Sequence, residues 1–121
     1  MIDVRHIRGR LGEDFAARHF EALGFEVLAR NHRTRFGELD LVVFDGATIV
    51  FVEVKTRRMG GGEPWDNLHG AKRTQVRRMA AAWLTEVSDR PFGAALRFDA
   101  VGVLLDASGR LVRLDHLEAA F

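Results

Sequence analysis

The sequence contains no cysteine, and its apolar residues form no long run. Without cysteine the chain has no disulfide framework, no thiolate metal site and no cysteine nucleophile. No apolar stretch approaches the roughly 20 residues that cross a bilayer as a helix. The opening residues MIDVRHIRGRLGEDF also lack an apolar segment of signal-peptide length. These absences predict a soluble, cytoplasmic protein with no membrane partner.

What the sequence does contain is typical of one globular domain. It has 121 residues, of which 47% are hydrophobic and 29% are charged. A chain of this size buries enough apolar surface to fold without a disulfide or a structural metal. We therefore predict a single domain over residues 1–121.

The net charge of +1 hides a segregation of charge along the chain. Residues 1–36 hold seven arginines against five acidic residues, and residues 55–78 hold seven basic against two acidic residues. Between them, residues 37–54 hold four acidic residues and no basic one. This pattern suits a divalent cation at the centre with a polyanion around it, although solvated surface charge explains it about equally well.

Hydrophobic periodicity predicts two helices and five strands. Apolar residues recur at helical spacing in 9–23 and 71–87, whereas shorter apolar runs elsewhere are typical of strands. The order α-β-β-β-α-β-β predicts an α/β domain with a mixed central sheet flanked by helices. The predicted strands cover 25–29, two arms of a hairpin within 37–57, 95–105 and 111–115, with a polar connection at 31–36 and a glycine-rich loop at 59–70.

The hairpin GELDLVVFDGATIVFVEVKTR carries charge where burial is expected. Side chains alternate along a strand, so the face on which Asp40, Glu53 and Lys55 lie depends on the length of the connecting loop. A two-residue loop at Asp45-Gly46 and a four-residue loop both place the three on one face. A three-residue loop would send Asp40 to the other side. The sequence leaves the first two registers open.

Two carboxylates that lie close together among apolar residues repel each other unless a cation separates them. One acidic residue in a strand is more often a surface residue than a ligand. Asp40, Glu53 and Lys55, spaced as D-x12-E-x-K, are harder to explain structurally because one lysine cannot neutralise two buried anions. Carboxylate ligands without cysteine or histidine favour Mg²⁺ or Mn²⁺.

Four segments occur in an informative order. They are GRLGEDFAARHFEALGFEVLARNHRTRFGELDLV, FVEVKTR, the helix that begins near Lys72-Arg73, and RFDAVGV. In this order they resemble the YraN-like family of small bacterial proteins. The hairpin also resembles the PD-(D/E)xK nuclease superfamily, which has a restriction-endonuclease-like core and includes Holliday junction resolvases. The resemblance implies that the chain has this restriction-endonuclease-like core. It also implies that the protein is a metal-dependent endonuclease that acts on DNA.

The resemblance implies roles for individual residues. Asp40 matches the first acidic ligand of the superfamily and Glu53 matches the second. The backbone carbonyl of Val54 and the carboxylate of Glu13 on the first helix would complete the metal ligands, and Lys55 matches the catalytic lysine. Asp40, Glu53, Lys55 and Glu13 are thus the predicted catalytic residues, with Mg²⁺ or Mn²⁺ as the cofactor.

Other polar residues near these positions have plainer explanations. Glu38 either supports the ligands or is the solvated end of its strand. Gln75 resembles a helix-borne site residue of some relatives, but a surface glutamine is the simpler interpretation. His32 and His69 lie in predicted loops, where histidines are more often solvated than catalytic.

Basic residues on both sides of the hairpin are predicted to bind the nucleic-acid backbone. Phosphate contacts do not read sequence, so we expect binding that is nonspecific or selects branched or flapped DNA, for which a homodimer would be suited. The alternative is a scaffold that keeps the nuclease fold and binds nucleic acid without cutting it. A hydrolase of small phosphate esters is a third function, which the basic segments argue against. The predicted contacts are Arg33, Arg35, Arg57, Arg58, Lys72, Arg73 and Arg77.

Overall fold

The computed structural model describes residues 4–61 and 70–121. Its elements follow the order helix, three strands, helix, two strands, which confirms the predicted α/β order. None of the described helices combines the length and apolarity that a membrane span needs. Most of the predicted glycine-rich loop, with His69, lies outside the described residues. The elements are α1 (Val4–Ala22), β1 (Glu26–Thr34), β2 (Gly37–Phe44), β3 (Thr48–Arg58), α2 (Gly70–Glu86), β4 (Ala95–Leu105) and β5 (Leu111–Leu117).

The five strands form one mixed sheet in the order β1-β2-β3-β4-β5. β3 and β4 run parallel, and the other neighbouring pairs are antiparallel. Parallel neighbours need a crossover connection, and α2 lies in the segment that joins β3 to β4. The parallel ladder extends from Thr48 paired with Ala95 to Arg58 paired with Leu105. β3 is therefore the central strand, with a hydrogen-bonded neighbour on each side.

Both faces of the sheet are covered, which is why β2 and β3 are nearly continuous apolar runs. On one face lies the α1-side core, which includes Ala16, Phe20, Leu41, Val43, Val50 and Val52. On the other lies the α2-side core, which includes Leu39, Ile49, Phe51, Val76, Met79 and Trp83. The alternating side chains of the central hairpin thus divide between two helices.

β1 is longer than the sequence predicted. The polar connection expected at 31–36 is mostly strand, because β1 continues to Thr34 and pairs there with Gly37 of β2. β1 is an edge strand, so its backbone pairs on one side only and many of its polar side chains stay partly exposed. Such a strand lacks the apolar pattern by which strands are predicted. Oγ1 of Thr34 closes the turn by donating to the Gly37 carbonyl at 2.8 Å.

Candidate functional site

The loop between β2 and β3 has the four-residue register that the sequence left open. Phe44 pairs with Ile49, so residues 45–48 separate the last paired residues. Oδ1 of Asp45 holds the loop by accepting two backbone hydrogen bonds inside it, at 2.9 and 2.8 Å. This register brings Asp40 level with Glu53 on the neighbouring strand.

β2 changes face at Asp40. Leu39 packs in the α2-side core, whereas Leu41 packs in the α1-side core, although a regular strand would put both on one face. The ladder between β2 and β3 also ends at this point, with Leu41 paired with Val52. Just beyond it, the backbone N–H of Val54 donates to Oδ2 of Asp40 at 2.8 Å. The Asp40 carboxylate therefore lies where the pairing of these two strands ends.

Three carboxylates from α1 and β2 meet at this place. One oxygen from each of Glu13, Glu38 and Asp40 lies within 4.8 Å of the other two. Gly12 allows α1 to approach β3 here, because a Cβ at this position would lie 1.8 Å from Oγ1 of Thr56. Carboxylate oxygens are the ligands that Mg²⁺ and Mn²⁺ prefer, so this group could hold a divalent cation.

Glu13 contributes a buried oxygen that has no hydrogen-bonding partner among the described residues. Burial raises the pKa of Glu13, and a hydrogen bond from the Asn31 side chain partly offsets this effect. Asn31 has a left-handed backbone, with φ of 53°, which asparagine tolerates better than most residues. Within the described part of the chain, Oε1 of Glu13 accepts no hydrogen bond, and Nη1 of Arg10 lies 3.8 Å away. A buried oxygen left in this state is costly unless a ligand satisfies it.

The charge of Asp40 is strongly disfavoured in this environment. Burial raises the pKa of Asp40 well above its ordinary value, and the neighbouring charge of Glu53 raises it further. The Val54 N–H opposes this shift, while Glu13 adds to it. Two or more carboxylates kept together in this way are best stabilised by added positive charge.

Glu53 lies between two lysines. Its Oε1 is 2.6 Å from Nζ of Lys72 on α2 and 3.9 Å from Nζ of Lys55 on β3. The Glu53 side chain is only 6% exposed, and its second oxygen, Oε2, accepts no hydrogen bond from the described residues. Thus one oxygen of Glu53 is neutralised by lysine and the other is available for a ligand.

Comparison with known proteins places the chain in a family. Residues 12–103 match the model of the family described as "Uncharacterised protein family UPF0102". The chain belongs to the UPF0102 family. This result confirms the YraN-like family that the sequence predicted.

Individual UPF0102 proteins resemble the chain over nearly its whole length. A UPF0102 protein of Pelotomaculum thermopropionicum is 44% identical over 125 aligned positions that cover all of both chains. One from Nocardia farcinica is 47% identical, covering 93% of this chain and 87% of its own. One from Chlorobaculum tepidum is 38% identical, covering 93% and 90%.

In this UPF0102 protein the predicted metal ligands are placed in two groups. Glu13 and Asp40 lie together with Glu38, which the sequence left either as a support for the ligands or as the solvated end of its strand. The charge of Glu53 raises the pKa of Asp40, but the Glu53 carboxylate itself lies against Lys55 and Lys72. Val54 contributes its N–H to Asp40, and its carbonyl remains a predicted ligand. The signal for Glu38 was present in the sequence, since it stands two positions before Asp40.

The polar residues to which the sequence gave plainer roles are also placed. Nε2 of Gln75 donates to the Phe36 carbonyl at 3.0 Å, so it holds the β1–β2 turn against α2. His32 is on β1 rather than in the predicted loop, and its Nε2 lies 3.1 Å from Oε2 of Glu86. Neither contact involves the three clustered carboxylates of Glu13, Glu38 and Asp40.

The predicted DNA-contacting residues lie on β1, the β1–β2 turn, β3 and α2, and several have partners of their own. Nη2 of Arg33 lies 3.5 Å from Oε2 of Glu38. The guanidinium of Arg35 lies over the Phe36 ring, 4.8 Å from its centroid. Arg77 does not contact the carboxylates in this structure, since its guanidinium lies over the Phe98 ring, 4.6 Å from the centroid. Lys72 forms an ion pair with Glu53. Arg57 donates to the Thr56 carbonyl at 3.0 Å, and Arg58 and Arg73 are exposed.

Replacing Asp40 by asparagine should stabilise the metal-free protein. The folded state binds the Asp40 proton more tightly than the unfolded chain does, so the ionised carboxylate lowers the free energy of unfolding as pH rises above 3.8. Asparagine removes the charge and keeps an oxygen for the Val54 N–H. In EDTA at neutral pH we expect a gain of about 1 kcal/mol, or about 4 °C in melting temperature. The gain should shrink toward pH 4, and a large loss of stability would mean that the carboxylate is structural.

Proposed function

We propose that this protein is a metal-dependent endonuclease that hydrolyses phosphodiester bonds of DNA. The observation that carries the proposal is the convergence of Glu13, Glu38 and Asp40 beside Glu53 and Lys55. Such a set of half-buried acids beside the buried Glu53 is unstable by itself and is suited to a cation. The PD-(D/E)xK resemblance of the hairpin supports the same chemistry, and the basic side chains around it suit a polyanionic substrate.

The residues fit a divalent cation bound through oxygen. Asp40, Glu53, Glu13 and the Val54 carbonyl would hold Mg²⁺ or Mn²⁺, and the position of Glu38 adds it to this set. Oε1 of Glu13 and Oε2 of Glu53, two buried oxygens that accept no hydrogen bond from the described residues, support this assignment. When bound, such an ion polarises the scissile phosphate and lowers the pKa of a bound water.

Lys55 would act directly on the reacting groups. Its side chain is 23% exposed, so part of it is accessible to a substrate while the rest is covered by the protein. As a compact point charge it would orient the attacking water and stabilise the negative charge that develops on the phosphorus oxygens. Glu53, 3.9 Å away, keeps the lysine in position.

The basic side chains around the site would hold the DNA backbone without reading bases. Each phosphate contact contributes to affinity through released counterions, so binding should weaken steeply as salt is added. A substrate would then be chosen by shape, and branched or flapped DNA is the substrate class that we propose.

A substrate panel tests the proposal. Branched, flapped, duplex and single-stranded DNA, with an RNA strand for comparison, are incubated with Mg²⁺, Mn²⁺ or EDTA. We expect cleavage only with metal, and its loss in Asp40→Asn and Glu53→Gln proteins purified in the same way. Equal cleavage by the variants would identify a contaminating nuclease, and no cleavage of any substrate would overturn the proposal.

A second candidate is a nucleic-acid-binding scaffold that keeps this fold without catalysis. One observation favours it: Lys72, 2.6 Å from Glu53, already neutralises part of the acidic group without a metal. A scaffold has no need of a cation. Calorimetric titration with Mn²⁺ separates the two, because only the enzyme should bind the ion with a stoichiometry that depends on Asp40.

A further inference from the structure

Lys72 makes a short contact with the acidic site. It is the third residue of α2, and its Nζ lies 2.6 Å from Oε1 of Glu53. Its side chain is 21% exposed, so most of its side-chain surface is covered by the protein. Its charge also favours the ionised form of Asp40 and therefore acts on both carboxylates. Lys72 thus supplies, in the metal-free protein, part of the positive charge that the acids require.

This position is not one that helix stability would select. A positive side chain in the first turn of a helix opposes the helix dipole. Lys55 is a second cation near the same oxygen of Glu53, at 3.9 Å, while Oε2 of Glu53 has no described partner. Both lysines therefore lie near Oε1 of Glu53, and neither donates a hydrogen bond to Oε2. The four-carbon stem of a lysine lets its ammonium move without a movement of the backbone.

We infer that Lys72 is a displaceable counter-ion, which neutralises Glu53 in the metal-free protein and moves to a substrate phosphate when a divalent cation takes its place. The inference rests on the proposed nuclease function, because it concerns the same site. An ammonium on Oε1 of Glu53 and a divalent cation on Oε2 repel each other, so the departure of Lys72 from Oε1 tightens the binding of the ion. Its released ammonium then lies at the edge of the site, where phosphate would be the nearest anion available.

Two consequences follow from this exchange. Lys72 competes with the cation and weakens metal binding in the absence of DNA. A phosphate that captures Lys72 removes this competition, so DNA and metal should each strengthen the binding of the other by the same factor. Lys72 would therefore couple the loading of metal to the presence of substrate.

Metal titration without DNA tests the competition. Mn²⁺ is titrated calorimetrically into the wild-type protein, Lys72→Gln, Lys72→Arg and the control Arg78→Met, which removes one exposed positive charge from the same helix. We expect Lys72→Gln to bind Mn²⁺ about tenfold more tightly, as for a typical coupling between sites. Lys72→Arg and Arg78→Met should stay within about twofold of wild type. Unchanged or weaker binding by Lys72→Gln would overturn the inference.

A second measurement keeps the inference testable if Lys72→Gln is too unstable for calorimetry. Binding of a phosphorothioate-protected flapped duplex is measured by fluorescence anisotropy with EDTA and with Mn²⁺, for wild type and for Lys72→Met. Mn²⁺ should tighten DNA binding by about fivefold or more in wild type and by less in the variant. Equal tightening in both proteins would overturn the exchange.

The outcomes separate this inference from the proposed function. If wild-type protein and every variant fail to bind Mn²⁺, the metal site itself is wrong and both proposals fall. If wild type binds Mn²⁺ in an Asp40-dependent manner while Lys72 has no influence, only the role of Lys72 is overturned.

Discussion

Lys55→Ala is expected to lower metal-dependent DNA cleavage by about 100- to 1000-fold, the usual cost of removing one group that stabilises transition-state charge. Lys55 lies beside Glu53, with Nζ at 3.9 Å, and its removal leaves the three-carboxylate group of Glu13, Glu38 and Asp40 in place. Because several other bases contact phosphate in the proposed complex, DNA affinity should fall only about threefold. Single-turnover cleavage and anisotropy measure the two quantities separately.

Lys55→Arg provides the matched control for charge. It keeps a cation but replaces a compact ammonium by a planar guanidinium, so cleavage should remain well below wild type while DNA binding is retained. Unchanged cleavage by Lys55→Ala would remove Lys55 from the mechanism. Equal loss of binding and cleavage would instead assign the lysine to substrate binding.

Gly12→Ala is expected to cause the largest loss of stability among simple substitutions near the site. An added Cβ would lie 1.8 Å from Oγ1, 3.0 Å from Cβ and 3.1 Å from Cγ2 of Thr56. A rotation of Thr56 cannot relieve all three contacts, so α1 must move away from β3. We expect a loss of about 3 kcal/mol, or about 10 °C in melting temperature, as for severe overpacking. Glu13 would move with the helix, and metal binding should weaken as well.

Two variants control for other effects of alanine. Gly9 is also on α1, and a Cβ added there would meet no atom within 4 Å, so Gly9→Ala should be neutral or stabilising by about 0.5–1 kcal/mol. Thr56→Ala removes two of the three clashing atoms and should recover much of the loss in the double variant. Equal melting temperatures for Gly9→Ala and Gly12→Ala would contradict the close approach of α1 and β3.

Elements that bury an apolar face were predicted accurately from the sequence. Elements without such a face were predicted less accurately. β4 was predicted over 95–105, as it is in the structure, because it is largely apolar and lies in the interior of the sheet. β1 was predicted too short because an edge strand needs backbone pairing and not an apolar pattern. Edge strands with polar side chains therefore look like loops in a single sequence.

The geometry of the candidate site was predictable only where it is local. Asp40 and Glu53 are on one hairpin, so alternation limited their positions to a few registers. The contact of Lys72 with Glu53 and the approach of Gly12 to Thr56 depend on how two helices dock on the sheet. No spacing in the sequence encodes such distances. The face change at Asp40 was equally hidden, since a regular strand was assumed.

The central place of β3 has a consequence for where this protein can be flexible. β3 is paired with both neighbours only as far as Val52, whereas Glu53 and Lys55 are paired with β4 alone, at Ala100 and Gly102. Backbone amides in a doubly paired segment usually exchange with solvent only through opening events close to global unfolding, whereas a segment with fewer backbone pairs can open more locally. The proposed reactive groups thus lie at the border of the slowest-exchanging part of the fold, next to a segment that can adapt to differently shaped substrates.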